Sequence, residues 1–325
     1  MSKRTKRMLF AGAVLILVLV MIYSGLRILE STVFSVPEAQ EPVKRKTVVH
    51  EDIAYFPRQD ITTILVMGID EEGPVTDSGS YRNTGEVDMA ALLILDLADQ
   101  SYSVLCLNRD TMVDMPVLGI GGRQAGSFYG QLALSHTYGS GLQDSAENTK
   151  ETVSALLNGI TIDYYVAMNM DAIGILNDAV GGVTVTVTDD FSQVDSALPM
   201  GQVTLKAEQA MTFVRTRKNV GTQLNLSRMR RHESYIRGLF DALMPKAKAS
   251  DAFVAETYDK MAAYMVTDCS MNAVSGILKR CADFTMKELV SPQGENVRGQ
   301  EYYEFYPDEE ALLELTLRLF YAPKE

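Results

Sequence analysis

The sequence predicts an α/β fold, a central mixed sheet flanked by helices on both faces, preceded by one N-terminal transmembrane helix. Three observations predict it. β-branched and aliphatic runs alternate along the chain with stretches of helical periodicity, the pattern of a layered α/β domain. The first such run in the body, residues 61–69 (ITTILVMGI), is nearly continuous, as in a strand covered on both faces. Residues 8–26 hold no charge and span roughly 28 Å as a helix, about one hydrocarbon thickness.

Lys3, Arg4, Lys6 and Arg7 precede that apolar run, so the positive-inside rule keeps residues 1–7 in the cytoplasm and sends the body outside. A cleavable signal peptide is the competing reading, but no small-residue cleavage pattern follows the run. The expectation is therefore a single-pass protein of the cell membrane with an extracellular C-terminal body. Residues 27–60 carry Pro37, Pro42 and Pro57 and read as a linker or stalk, with residues 61–325 as the extracytoplasmic domain. At 46% apolar and 22% charged residues, the composition is globular, not disordered or fibrous. Beyond residue 7 the chain has 26 bases against 42 acids, net −16, which argues against a nucleic-acid partner. Cys106 sits in an apolar run and reads as a packed hydrophobe; Cys269 and Cys281 either pair or stay free.

Element by element, strands are expected at 61–69, 88–97 and 102–107, with a Gly- and Ser-containing loop over 72–85. A helix follows at 145–157, a strand at 164–169, and a helix at 171–180 with Asp171 as N-cap. Gly181 and Gly182 stop it before an edge strand at 183–187. Helices are expected from 208–213, over 225–243 and through 252–284, then a strand at 302–306 and a last helix over 307–321.

Ligands in open α/β sheets bind beyond the carboxyl ends of the strands. Asp70 ends the first strand there and Arg109 with Asp110 follows the third; Asp88 joins them if the second strand runs antiparallel. Arg215, Arg217, Arg228, Arg230 and Arg231 fall within seventeen residues of an acidic chain. A solvated helix face explains part of this cluster, but lysine would solubilise as well. Carboxylates that hold a hard divalent ion and guanidiniums that clamp phosphate oxygens together describe a pyrophosphate site.

The chain resembles the LytR-CpsA-Psr family over 61 to about 320. The resemblance rests on ILVMGID (64–70), VDMAALLILDL (87–97), LNRDT (107–111), HTYGSG (136–141), DYYVAMNMDAIGILNDAVGGVTVTV (163–187), LKAEQAMTFVRTRK (205–218) and LSRMRRHESYI (226–236). It implies a phosphotransferase that moves a glycopolymer, such as teichoic acid or capsule, from a polyprenyl pyrophosphate lipid to a peptidoglycan hydroxyl. Pyrophosphatase action is a possible side activity. A magnesium or manganese ion would be held by Asp70 and Asp88, and pyrophosphate by Arg109, Arg215, Arg217, Arg228 and Arg231. Asp88, Arg109 and Arg217 would be catalytic, and the lipid would lie in an apolar tunnel between sheet and helices. Asp110 is either the general base or a structural acceptor. The chain departs from the family pattern at Glu86, where arginine is usual, and at Gln131, Ala133, Asn225 and His232. Those departures keep open a second reading, a non-catalytic lipid-binding or regulatory paralogue.

Overall fold

The computed structural model describes residues 47–119, 122–216, 218–221 and 224–323. The expected membrane span at 8–26 lies outside them, and among the described residues no helix is long and apolar enough to cross a membrane. In chain order the strands are β1 (Val48–His50), β2 (Ile53–Pro57), β3 (Ile61–Ile69), β4 (Val87–Asp96), β5 (Ser101–Leu107), β6 (Met112–Leu118) and β7 (Gln124–Gln131). They continue with β8 (Tyr164–Asn169), β9 (Val183–Val187), β10 (Gly201–Leu205), β11 (Met265–Thr267), β12 (Thr285–Val290), β13 (Gly294–Arg298), β14 (Tyr303–Pro307) and β15 (Tyr321–Pro323). The helices are α1 (Gln143–Leu156), α2 (Asp171–Ala179), α3 (Ala207–Arg215), α4 (Leu224–Ala249), α5 (Asp251–Met261), α6 (Met271–Cys281) and α7 (Glu309–Phe320).

Six strands form the central sheet in the order β11-β8-β3-β4-β5-β12. β3, β4 and β5 form an antiparallel meander, whereas β8 and β12 join in parallel, so the sheet is mixed as expected. Successive side chains of a strand face opposite ways, and both faces are used. Leu65, Met67, Leu92 and Leu105 pack on one side against Ala146 and Val153 of α1 and Leu312 and Leu317 of α7. On the other side Ala91, Val104 and Cys106 face Ile236 and Phe240 of α4 and Ile277 of α6. Tyr102 stacks on Phe240 with ring centroids 4.9 Å apart.

Several elements differ from the sequence reading. Order starts ahead of Ile61: β1 and β2 pair with each other, and β2 pairs with β15 near the C-terminus, so residues 48–57 are strands, not stalk. The 183–187 strand pairs with β10 in a separate hairpin, its alternating valines turned into a third core with Phe191 and Phe213. α4 crosses this hairpin so closely that a Cβ at Gly238 would clash with the Thr184 carbonyl oxygen. The helix expected through 252–284 is broken by β11, which adds to the sheet beside β8. Asp171 is the first residue inside α2; its carboxylate accepts from the Gly73 N–H (2.6 Å) and so serves the 72–85 loop, not the helix end. All three cysteines are free and buried.

The same loop is tied down from the other side. Asn83 donates to the carbonyls of His136 (2.8 Å) and Gly139 (2.9 Å), and His136 Nδ1 donates to the Gly85 carbonyl (3.0 Å). Burial disfavours the charged imidazole and pushes His136 down to about 4. The unfolded chain takes up this proton near pH 6.5, the folded one only near 4, so acid favours unfolding across that window. About 3 kcal/mol of stability should be lost between those limits. His136→Gln should flatten that part of a pH-dependent denaturation curve; an unchanged slope would remove His136 as its cause.

Candidate active site

The site lies where β3 ends, β4 begins and β5 ends. The antiparallel pairing of β3 with β4 brings Asp70 and Asp88 to one sheet edge, and the Asp70 N–H donates to the Glu86 carbonyl at 2.9 Å. The register steps from Gly68↔Met89 to Ile69↔Val87, leaving Asp88 as the extra residue of a β-bulge. A bulge rotates the chain locally and re-aims a side chain. Here consecutive Asp88 and Met89 both reach the same cavity wall, which regular alternation forbids.

Asp88 is 8% exposed and lies between two guanidiniums: Arg109 Nη1 contacts one carboxylate oxygen, and Arg228 Nη1 contacts the other at 2.9 Å. Arg228 reaches it from α4 and is itself 1% exposed. Burial of such a charge is tolerable only with a carboxylate partner. Arg109 also pairs through Nη2 with Glu86, and its Nε lies 3.7 Å from Asp110 Oδ1. Asp110 Oδ1 in turn accepts from Gln131 Nε2 at 3.1 Å.

Asp70 forms a second, more open pair. Arg215 at the end of α3 donates to Asp70 (3.0 Å) and to Glu72 (2.8 Å), and the hydrogen bond to Glu72 is the chief cause of its raised pKa. The structure thus brings Asp70, Asp88, Arg109, Arg215 and Arg228 to one sheet edge. Arg231 faces elsewhere: its Nε donates to the Phe213 carbonyl (2.8 Å), Nη2 to the Thr216 carbonyl and Nη1 to Asp189 (2.6 Å). Burial is the main influence lowering its pKa, and the Asp189 hydrogen bond opposes it. Arg231 therefore pins the end of α3 beneath Arg215. Replacing it with methionine leaves Asp189 and two carbonyls without that donor and should cost about 3 kcal/mol in urea unfolding. A loss below about 1 kcal/mol would contradict this anchoring role. Arg217 and the side chain of Asn225 lie outside the described residues.

The other departures also have places. Arg82, four residues before Glu86, stacks on Tyr138 with its guanidinium carbon 4.1 Å from the ring centroid. Ala133 is fully buried, and its N–H donates to the Arg109 carbonyl at 2.9 Å. His232 Nε2 lies 3.0 Å from the Val214 carbonyl. Sequence reasoning missed the anchoring acids Glu72 and Asp189 and the pairing role of Glu86, because each partner lies far along the chain.

Behind the charges is a cavity of about 340 Å³ between the sheet and α2, α4, α5 and α6. Ile64, Val66, Ala91 and Leu93 floor it, Ile236 and Phe240 help to roof it, and Asp88, Arg215 and His232 stand on its wall. Its size falls within the range of small-molecule sites. A family model described as the LytR_cpsA_psr family matches residues 29–319. The chain belongs to that family. Among its relatives is the polyisoprenyl-teichoic acid--peptidoglycan teichoic acid transferase TagU of Oceanobacillus iheyensis, 26% identical over 93% of this chain and 90% of the relative. The TagU of Bacillus subtilis is 24% identical over 89% of this chain and 85% of its own length. The crystal structure of B. subtilis TagV aligns with a TM-score of 0.63 at 24% identity, over 81% of this chain and 96% of that one. A structure of TagT bound to LI-WTA aligns with a TM-score of 0.60 at 22% identity, over 80% and 90% of the two chains. These likenesses support the fold of this family member.

Proposed function

We propose that this family member transfers a glycopolymer from a polyprenyl pyrophosphate carrier to a peptidoglycan hydroxyl on the outer side of the membrane. One observation carries the reading: an apolar cavity whose wall includes Asp88 and Arg215, with Arg109 and Arg228 bonded to Asp88. A polyprenyl tail in the cavity sets its first phosphates beside those guanidiniums, where oppositely charged groups are already in place. The relatives named as teichoic acid transferases support the same class of substrate.

In this reading the acceptor oxygen attacks the glycan-side phosphorus. The bond from that phosphorus to the bridging oxygen breaks, and polyprenyl phosphate leaves with the electron pair. Arg109 and Arg215, with Arg217, neutralise charge on the transferred phosphoryl group, while Arg228 holds the lipid-side phosphate. Arg231 contributes by fixing α3. Asp110, held by Gln131, receives the acceptor's proton. Asp70 and Asp88 offer hard oxygen donors from adjacent strand ends. Among the described residues no group of three or more His, Cys, Asp or Glu side chains gathers. In this reading Asp70 and Asp88 would hold a magnesium or manganese ion by exchanging the guanidinium contacts they make here. When bound, such an ion would supply charge neutralisation across both phosphates.

The test is release of polyprenyl phosphate from a polyprenyl-pyrophosphate-linked sugar by the purified chain with magnesium and peptidoglycan. Release coupled to sugar attachment supports the transferase; binding of the lipid without turnover supports the lipid-binding paralogue instead.

A further inference from the structure

Two hairpins beside the site carry a surface that the phosphate chemistry does not use. On β7, Tyr129 and Gln131 are two residues apart and share a face. Gln131 donates both to Asp110 and to the Tyr303 carbonyl (2.8 Å), while the Phe305 N–H donates to the Asp110 carbonyl (2.8 Å). The hairpin β13–β14 is therefore fastened directly to Asp110. Phe305 is buried, which turns Glu304 and Tyr306 outward together with Tyr302, and Glu295 stands opposite Tyr306 on the same face. Tyr129 is 52% exposed, Tyr302 44% and Tyr306 39%. The Tyr306 hydroxyl donates to Glu304 at 2.7 Å, the main cause of its raised pKa, with Tyr129 and Tyr302 near enough to add to it. Asp114, paired across the hairpin with Tyr129, adds a further acid.

We propose that Tyr129, Tyr302 and Tyr306, edged by Asp114, Glu295 and Glu304, form the docking surface for the acceptor, an uncharged N-acetylhexosamine glycan strand. The proposal rests on the transferase reading and names the acceptor's side of that site. Aromatic faces with polar tips suit sugar rings, which present C–H bonds on one side and hydroxyls at the rim. Carboxylates at the edge accept hydrogen bonds from those hydroxyls and from the acetamido N–H. The sign of the charge selects the occupant: three acids repel a phosphate-bearing donor polymer and tolerate an uncharged one. The surface leads to Asp110, where an acceptor hydroxyl would have to give up its proton.

The test titrates the purified chain with chitopentaose, a neutral β-1,4-linked N-acetylglucosamine oligomer, and with poly(glycerol phosphate) as the anionic probe. Tyrosine fluorescence is the readout, because the chain has no tryptophan, and calorimetry is the check. Chitopentaose should bind more tightly than the anionic polymer. Tyr129→Ala and Tyr306→Ala should each weaken chitopentaose binding five- to tenfold, and Tyr129→Phe should restore most of it. Retained circular dichroism and lipid binding in the variants would show that the fold survives. No chitopentaose binding by the wild type, equal binding by the alanine variants, or preference for the anionic polymer would overturn the proposal. If lipid turnover proceeds while the acceptor KM is unmoved by these variants, the surface fails and the transferase reading stands. If chitopentaose binds these tyrosines but polyprenyl pyrophosphate neither binds nor reacts, the surface stands as a glycan site and the transferase reading fails.

Discussion

Asp88→Asn should abolish turnover and destabilise the protein together. The carboxylate separates Arg109 from Arg228, and Arg228 is almost wholly buried. Asparagine keeps the shape but leaves two guanidiniums facing each other across a neutral amide. Breaking a buried pair in this way costs roughly 3–5 kcal/mol. Polyprenyl phosphate release should fall at least about 100-fold, the scale of losing one preorganised electrostatic contact. Thermal melting and the release assay, run on the same sample, check both. Turnover within about threefold of wild type would remove Asp88 from the chemistry, since even a single lost hydrogen bond of about 1 kcal/mol predicts more.

Val166→Phe tests the other half of the site. Val166 lies on β8 opposite Val66, and both line the cavity. A phenyl ring there occupies space that the lipid tail needs while adding apolar contacts inside the protein. Polyprenyl phosphate retained through purification, weighed by native mass spectrometry, should fall more than about tenfold, the equivalent of 1.4 kcal/mol. Melting should stay within a few degrees of wild type. The two variants therefore fail differently, one by unbalanced charge and the other by a filled cavity. Undiminished lipid retention in Val166→Phe would place the tail elsewhere.

The central meander was legible because β3, β4 and β5 are long apolar runs that end in chemistry-bearing residues. Its antiparallel pairing, on which the placing of Asp88 depended, follows from the short turn at 97–100 and the loop at 72–85. The hairpin β6–β7 was not legible: QAGSFYGQ is mostly exposed, so no buried face imposes alternation on it. β11 has three residues between helices and takes its strand character from β8 alone. For the arginines, composition announced a cluster but not its division. Arg228 and Arg231 lie three apart on one helix, yet one meets Asp88 and the other Asp189. That split depends on acids 140 and 42 residues away, which spacing along α4 does not reveal.

The extra residue at Asp88 also separates length from alignment. Downstream of it, β4 is held in step with β3 by seven successive apolar positions, Met89 to Leu95, and a slip by one would send every one of them to the opposite face of the sheet. Residues added to or removed from the 72–85 connector are therefore absorbed before the kink. They change what the rim can recognise without displacing the acid that the arginines grip.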